Sequence, residues 1–307
     1  MSNNTFNLAM IRGKVAVITG GSRGIGKSVA DVIIANGGMV IIGDLLEKEG
    51  KSVVAEYNER AGKQVAAFIR TDVTKYSDNM ALFQLAEKEF GGVDYALLNA
   101  GIGYNANSMF SPLDDKMEEK VMQVNTIGVI KGTKVALLHM AKRGGGSIVH
   151  VASAAGFFSS PGLASYNASK HAVIGYTRSF QLMPYICNVR VNALCPYWVD
   201  TDLLATVKTT DNQEEPFYNV IKHSPRVPMK TVVEGVMTLF TDTERNTETL
   251  LATPEGTISM ETPHPPDSFQ SKEANNAFKK YIQDAIPLGK AQLKQALQRY
   301  ESSNSKL

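Results

Sequence analysis

Near the middle of the chain, the run "SYNASK" places Tyr166 and Lys170 four residues apart. On a helix that spacing puts both side chains on one face, about one turn from each other. A free phenol titrates near ~10 and is a poor base at neutral pH. An ammonium group beside it favours the phenolate. The pair therefore suits proton transfer to or from an oxygen atom. Tyrosine followed by lysine at this spacing is a common coincidence, so a third group has to join it. Ser153, just past the apolar run "SIVHVAS", is that group. It falls at the C-terminal end of an expected strand, the edge where sheets of parallel strands bind ligands.

A second constellation lies near the N-terminus. "VAVITGGSRGIGKSVA" sets glycines between an apolar β-branched run and a segment of helical spacing. A glycine turn lets backbone N–H groups approach a pyrophosphate, and the start of the helix adds unpaired donors and a favourable dipole. Gly20, Ser22, Arg23, Gly24, Ile25 and Gly26 are the expected cradle. Asp44 closes the next strand, "VIIGD". A carboxylate there accepts hydrogen bonds from ribose hydroxyls and repels a 2′-phosphate, which favours NAD over NADP. Arg23 pulls the other way, since a cation in the glycine loop can pair with a 2′-phosphate.

The elements that must hold these groups follow from periodicity. "KVAVIT", "MVIIGD", "QVAAFIRTD", "DYALLNAG", "GSIVHVAS", "CNVRVNALCP" and "TETLLAT" read as seven strands. Helical segments separate them, among them "MEEKVMQVNTIGVIKGTKVALLHMAKR". Near-continuous apolar strands alternating with helices predict an α/β fold: a mostly parallel sheet covered on both faces. From 200 to 228 the pattern loosens into a mixed segment, a candidate substrate lid carrying Leu203, Leu204, Phe217 and Val220 beside charges.

Composition narrows the class. Of 307 residues 43% are apolar and 20% charged, and the formal net charge is +2. That balance argues against a nucleic-acid or membrane-surface protein. No apolar run approaches the length of a bilayer span, and the N-terminus lacks a secretory signal, so a soluble protein is expected. Cys187 and Cys195 lack metal-type spacing and read as reduced, buried thiols. His139 and His150 read as structural, and no metal site is expected. Phe157 and Phe158 are read either as a pocket lining or as a packed loop, Tyr197 and Trp198 as a pocket wall, and Glu118, Glu119 and Lys120 as a solvated helix face.

Taken in order, these residues resemble the short-chain dehydrogenase/reductase family. The match comprises "TGGSRGIG", Asp72 and Val73 in "TDV", Asn99-Ala100-Gly101 after the fourth strand, Asn125, Ser153, and Tyr166 with Lys170, within residues 12–258. The resemblance implies a doubly wound Rossmann fold. It implies Tyr166 as general base or acid, Ser153 on the substrate oxygen, Lys170 on the nicotinamide ribose, and Asn125 in a proton relay. Pro196, Val199 and Thr201 would hold the carboxamide side of the cofactor. It further implies homodimers or homotetramers paired through 114–142 and 163–184. The runs "CPYWVDT" and "VVEGVMTLFTDTERNTETLLATPEGTI" look most like the 15-hydroxyprostaglandin dehydrogenase type, which oxidises secondary alcohols with NAD. Three positions depart from the pattern: Tyr197 stands where glycine usually follows Pro196, Leu98 replaces an asparagine, and Leu163 replaces a polar substrate contact. The reading is an NAD-dependent dehydrogenase of a secondary alcohol. An NADPH-dependent carbonyl reductase and a non-catalytic nucleotide-binding scaffold are the alternatives.

The domain is expected over 1–260. "PEGTISMETPHPPDS" reads as a Pro-rich linker, followed by two short helical stripes parted at Pro287. The final Ser305-Lys306-Leu307 matches a peroxisomal address read by an import receptor. With it goes an expected peroxisomal location, otherwise cytoplasmic, and a lipid-derived substrate.

Overall fold

The computed structural model describes residues 6–103, 115–207, 209–210, 213–214, 216–263, 266 and 271–304. Ser305, Lys306 and Leu307 lie outside the described residues, as do the first residue of the 114–142 stretch and parts of the expected lid. Six apolar runs form β1 (Val15–Thr19), β2 (Met39–Asp44), β3 (Ala66–Arg70), β4 (Tyr95–Leu98), β5 (Gly146–Val151) and β6 (Val189–Pro196). Between them run α1 (Gly24–Ala35), α2 (Glu47–Ala61), α3 (Tyr76–Phe90), α4 (Asp115–Met122), α5 (Gly128–Arg143), α6 (Ala164–Thr177) and α7 (Met183–Cys187). After β6 come a 3₁₀ turn (Asp202–Val207), the short hairpin of β7 (Thr209–Thr210) and β8 (Gln213–Glu214), α8 (Pro216–His223) and α9 (Met229–Thr241). The chain continues through β9 (Thr249–Thr253), β10 (Gly256–Ser259) and α10 (Lys272–Asn304).

The main sheet has eight strands in the order β10-β9-β6-β5-β4-β1-β2-β3. All neighbours pair in parallel except β10, which runs antiparallel to β9. The C-terminal ends of the parallel strands therefore share one edge. The chain builds outward from β1 to β3, then crosses back to place β4 on the other side of β1. That reversal leaves a crevice between β1 and β4, the position where open α/β sheets take a ligand. Each face of the sheet packs its own apolar layer. One holds Ile18, Val29, Ile33, Ile42, Tyr57 and Phe240; the other holds Val17, Leu82, Phe83, Met140, Ile148 and Val191.

Three features depart from the sequence reading. The strand count is eight, because Gly256–Ser259, read as linker, pairs with β9. None of its four residues is fully buried, so no apolar run marks it, and Ile258 is exposed. The two C-terminal stripes form one helix of 33 residues with Pro287 inside it. A proline there removes one backbone donor, but tertiary contacts hold the second half of the helix. A Cβ on Gly289 would lie 2.5 Å from Ile186 of α7. The Tyr300 hydroxyl lies 2.8 Å from His139 Nε2 on α5, and Glu87 Oε1 lies 2.7 Å from His139 Nδ1. Finally, the long helical stretch before β5 is broken by a π-turn, Gln123–Ile127, closed by the Gly128 N–H donating to the Gln123 carbonyl. Such turns concentrate at functional positions.

His150 is fully buried in β5, with Thr133 Oγ1 2.9 Å from Nε2 and Thr177 Oγ1 2.8 Å from Nδ1. It thereby ties α5 and α6 to the sheet through partners distant in sequence. Burial drives its pKa down to about 3. An unfolded histidine titrates near ~6.5, so below that pH the unfolded chain binds the extra proton. Stability is fully present above the unfolded pKa and is lost as pH falls toward the folded one, by up to about 1.4 kcal/mol per pH unit. Urea unfolding at pH 7, 6 and 5 should show this loss, and His150→Asn should flatten the slope.

Candidate active site

The glycine turn lies at the end of β1. Gly20 and Gly24 both adopt the left-handed region, with φ of 65° and 56°. A Cβ on Gly26 would run into the Gly20 carbonyl oxygen and sit 2.9 Å from Gly21 Cα. Across the crevice, the Asn99 side-chain amide donates to the Thr19 and Gly20 carbonyls at 3.1 and 2.9 Å. In return the Thr19 hydroxyl accepts from the backbone N–H groups of Asn99 and Ala100 at 3.0 and 3.2 Å. Asn99 thus shapes the turn from behind.

Two observations show that this turn fits a dinucleotide phosphate. The hydroxyl of Ser22 is buried and has no hydrogen-bond partner among the described residues. The start of α1 has no side-chain cap, leaving its donors available. Asp44 Oδ2 accepts from the Ser22 N–H at 3.0 Å and Oδ1 from the Leu46 N–H at 3.1 Å. These bonds fix a carboxylate beside the turn, where a ribose would lie. Arg23 Nη1 pairs with Asp202 Oδ2 at 3.0 Å, both side chains being exposed. Ile25 packs its side chain against the core.

Further along the edge, Asp72 Oδ1 accepts from the Thr74 N–H and hydroxyl at 3.0 and 2.7 Å. Burial pushes its pKa up, but the Thr74 donors and Lys75 outweigh that and hold it below the usual carboxylate value. Val73 is buried, and a Cβ on Gly128 would lie 2.8 Å from it. Val199 is buried, and the Thr201 side chain lies 3.6 Å from where a Gly24 Cβ would be, so the loop after β6 meets the glycine turn.

The catalytic candidates lie near one another at this edge. Ser153 caps the short turn after β5, accepting from the Ala155 N–H at 3.1 Å. Its hydroxyl donates to the Pro196 carbonyl at 3.5 Å and lies near enough to the Tyr166 phenol to favour the phenolate. Lys170 is buried, donates to the Val151 carbonyl at 3.0 Å and places Nζ 5.6 Å from the centre of the Tyr166 ring. Burial raises the phenol's pKa above its ordinary value, while Ser153 pulls it down. Burial lowers Lys170 to about 8. The same burial pushes the Cys195 thiol up to about 12, consistent with an unreactive structural thiol. Asn125, mid π-turn, exchanges two hydrogen bonds with the Ile102 backbone at 2.8 and 2.9 Å and donates to Ser169 Oγ at 3.2 Å. Ser169 in turn donates to the Tyr166 carbonyl at 2.7 Å. The Asn125 amide therefore braces Gly101 and Ile102 against α6, beside Lys170.

Tyr166 also belongs to a small apolar cluster: buried Leu163 and Ile221, with Tyr166, Trp198, Leu204, Phe217 and Tyr218 packed against them. Trp198 packs in this cluster and Tyr197 is exposed, whereas Phe157 packs into the core and Phe158 is exposed. Several contacts had no signal in the sequence. Thr19, Ser169 and the ion pairs of Asp200 and Asp202 join segments that periodicity does not connect.

The sequence between residues 14 and 212 matches the family model for short chain dehydrogenases. The chain is 30% identical over 247 residues to human 15-hydroxyprostaglandin dehydrogenase (NAD+), covering 77% of this chain and 89% of that protein. It is 37% identical over 201 residues to trans-4-hydroxycyclohexanecarboxylate dehydrogenase of Sinomonas cyclohexanicum, covering 64% and 76%. A crystal structure of 3-ketoacyl-(acyl-carrier-protein) reductase from Brucella melitensis complexed with NADH superimposes with a TM-score of 0.69 at 26% identity, covering 78% of this chain and 97% of that one. A Tyr–Ser–Lys cluster at the C-terminal edge of a doubly wound sheet, beside a glycine turn that fits a dinucleotide, places the chain in the short-chain dehydrogenase/reductase family of oxidoreductases acting on CH–OH groups.

Proposed function

We propose that the protein is an NAD-dependent dehydrogenase that interconverts a secondary alcohol and a ketone, on an apolar, lipid-derived substrate. The observation that carries this is the Tyr166 side chain, near Ser153 and packed in an apolar cluster, the roof of the site, with Leu163, Trp198, Phe217 and Ile221. An apolar roof favours a carbinol carbon flanked by hydrocarbon.

The glycine turn, Asp44, Asp72 and Thr201 would hold the dinucleotide. Bound NAD would supply the hydride acceptor. Ser153 donates a hydrogen bond to the substrate oxygen and fixes it against Tyr166. Tyr166 takes the hydroxyl proton during oxidation and returns it during reduction. The Lys170 ammonium, held by the Val151 carbonyl, favours the phenolate. Because burial raises the Tyr166 pKa, oxidation gains as pH rises toward the phenol's pKa, and ketone reduction fades over the same range.

Asp44 supports NAD over NADP, since a 2′-phosphate would meet a carboxylate held by two backbone donors. The NADPH reading relied on Arg23, whose guanidinium is engaged by Asp202. Assaying cyclohexanol and secondary fatty alcohols with either cofactor tests the proposal. Turnover with NAD should exceed that with NADP by at least about tenfold, and Asp44→Ala should erase most of the difference, a change of roughly 1.4 kcal/mol. A wild-type preference for NADP would overturn it.

A further inference from the structure

We propose that Arg226 is a positioning residue that fastens the substrate lid to the loop following β6, so that the roof over Tyr166 is set by the cofactor side of the site. The assignment of roles to those two walls rests on the function proposed above; the attachment itself rests on geometry.

Helix α8 has only eight residues and would be marginal alone. Its Phe217 and Ile221 form part of the roof. At its C-terminal end Arg226 Nη1 donates to the Ile221 carbonyl at 2.6 Å and to the Ser224 carbonyl at 3.1 Å. The Ile221 carbonyl also accepts from the Ser224 N–H at 3.2 Å, so the guanidinium adds a second donor at the helix end, where a cation complements the helix dipole. The same guanidinium donates through Nε to Asp200 Oδ1 at 2.8 Å. Asp200 lies between Val199 and Thr201, the residues on the glycine-turn side. The next residue adds a second fastening: the Val227 N–H donates to the Trp198 carbonyl at 2.8 Å.

The ion pair alone would contribute little, because the Asp200 side chain is 75% exposed. Its value is geometric. One planar guanidinium joins a helix end to a loop through three directed bonds, an arrangement a lysine cannot reproduce. The roof then moves with the 198–201 segment, and a displaced α8 would leave Trp198 uncovered.

Trp198 is the chain's single tryptophan, which gives a readout independent of turnover. Acrylamide quenching should be at least about twofold stronger in Arg226→Ala than in the wild type, with Arg226→Lys in between. In the same variant the KM for the best alcohol of the panel should rise about tenfold, while the NADH dissociation constant stays within about threefold. Wild-type quenching and KM in Arg226→Ala would overturn the assignment, and so would loss of NADH binding equal to the loss of substrate binding. If Arg226→Ala does not fold, Asp200→Asn decides, since its side chain is mostly exposed: raised quenching supports the fastening, and unchanged quenching refutes it. A panel on which the wild type shows no turnover would sink the proposed function and leave the quenching result standing.

Discussion

Tyr166→Phe is expected to lower kcat by roughly 10³-fold or more, toward the upper range supplied by a general acid–base group. The substitution removes one oxygen and leaves the ring. Packing against Leu163 and Ile221 survives, so no cavity opens and thermal stability should shift little. Lys170 keeps its bond to the Val151 carbonyl, so the dinucleotide side of the site is unaltered. Dinucleotide affinity should therefore stay within about twofold of the wild type, because the lost group acts on the substrate's proton. Initial rates together with a binding titration separate the two effects. Activity near the wild-type level would remove Tyr166 from the role of base.

The second large effect is expected from Gly26→Ala. The new Cβ would meet the Gly20 carbonyl oxygen, Gly21 Cα and the Asn99 amide. Two of these are backbone, so no rotamer change relieves the clash and the turn has to open. Overpacking of this kind costs on the order of 1–3 kcal/mol. Here the distortion falls on the donors that face the phosphate, and dinucleotide affinity should drop by more than about 30-fold, or about 2 kcal/mol. Gly175→Ala is the control. Nothing lies within 4 Å of its added Cβ, it stands inside α6, and alanine should stabilise the helix by up to ~1 kcal/mol. Equal dinucleotide binding by the Gly26 and Gly175 variants would show that the close approach at the turn does not matter.

How much of this was legible depends on what each segment buries. Seven strands were readable because two-sided burial writes Val, Ile, Ala and Leu in unbroken runs, as in Val15–Thr19. β10 was not, since an edge strand with Ile258 in solvent carries no such run. Pro287 gave a true local signal that tertiary contact overrode: Gly289 against Ile186 and Tyr300 against His139 hold the helix beyond what the sequence marks as a break. Within the site, Tyr166, Lys170, Ser153 and the glycines were legible because helical spacing and strand ends place them. The Arg226–Asp200 and Arg23–Asp202 pairs were not. Their partners stand 26 and 179 residues apart, in loops without a period, and only the folded crossings bring them together. Asn125 was legible as a site residue, but its exchange with Ile102 emerged only from the folded backbone.

The brace behind the glycine turn has a further consequence. Asn99 and Thr19 hold the turn with four hydrogen bonds made wholly within the protein. Ordering a free loop costs about 1–2 kcal/mol per residue, and here that cost falls on folding. An arriving nucleotide meets a finished socket and keeps its contact energy as affinity.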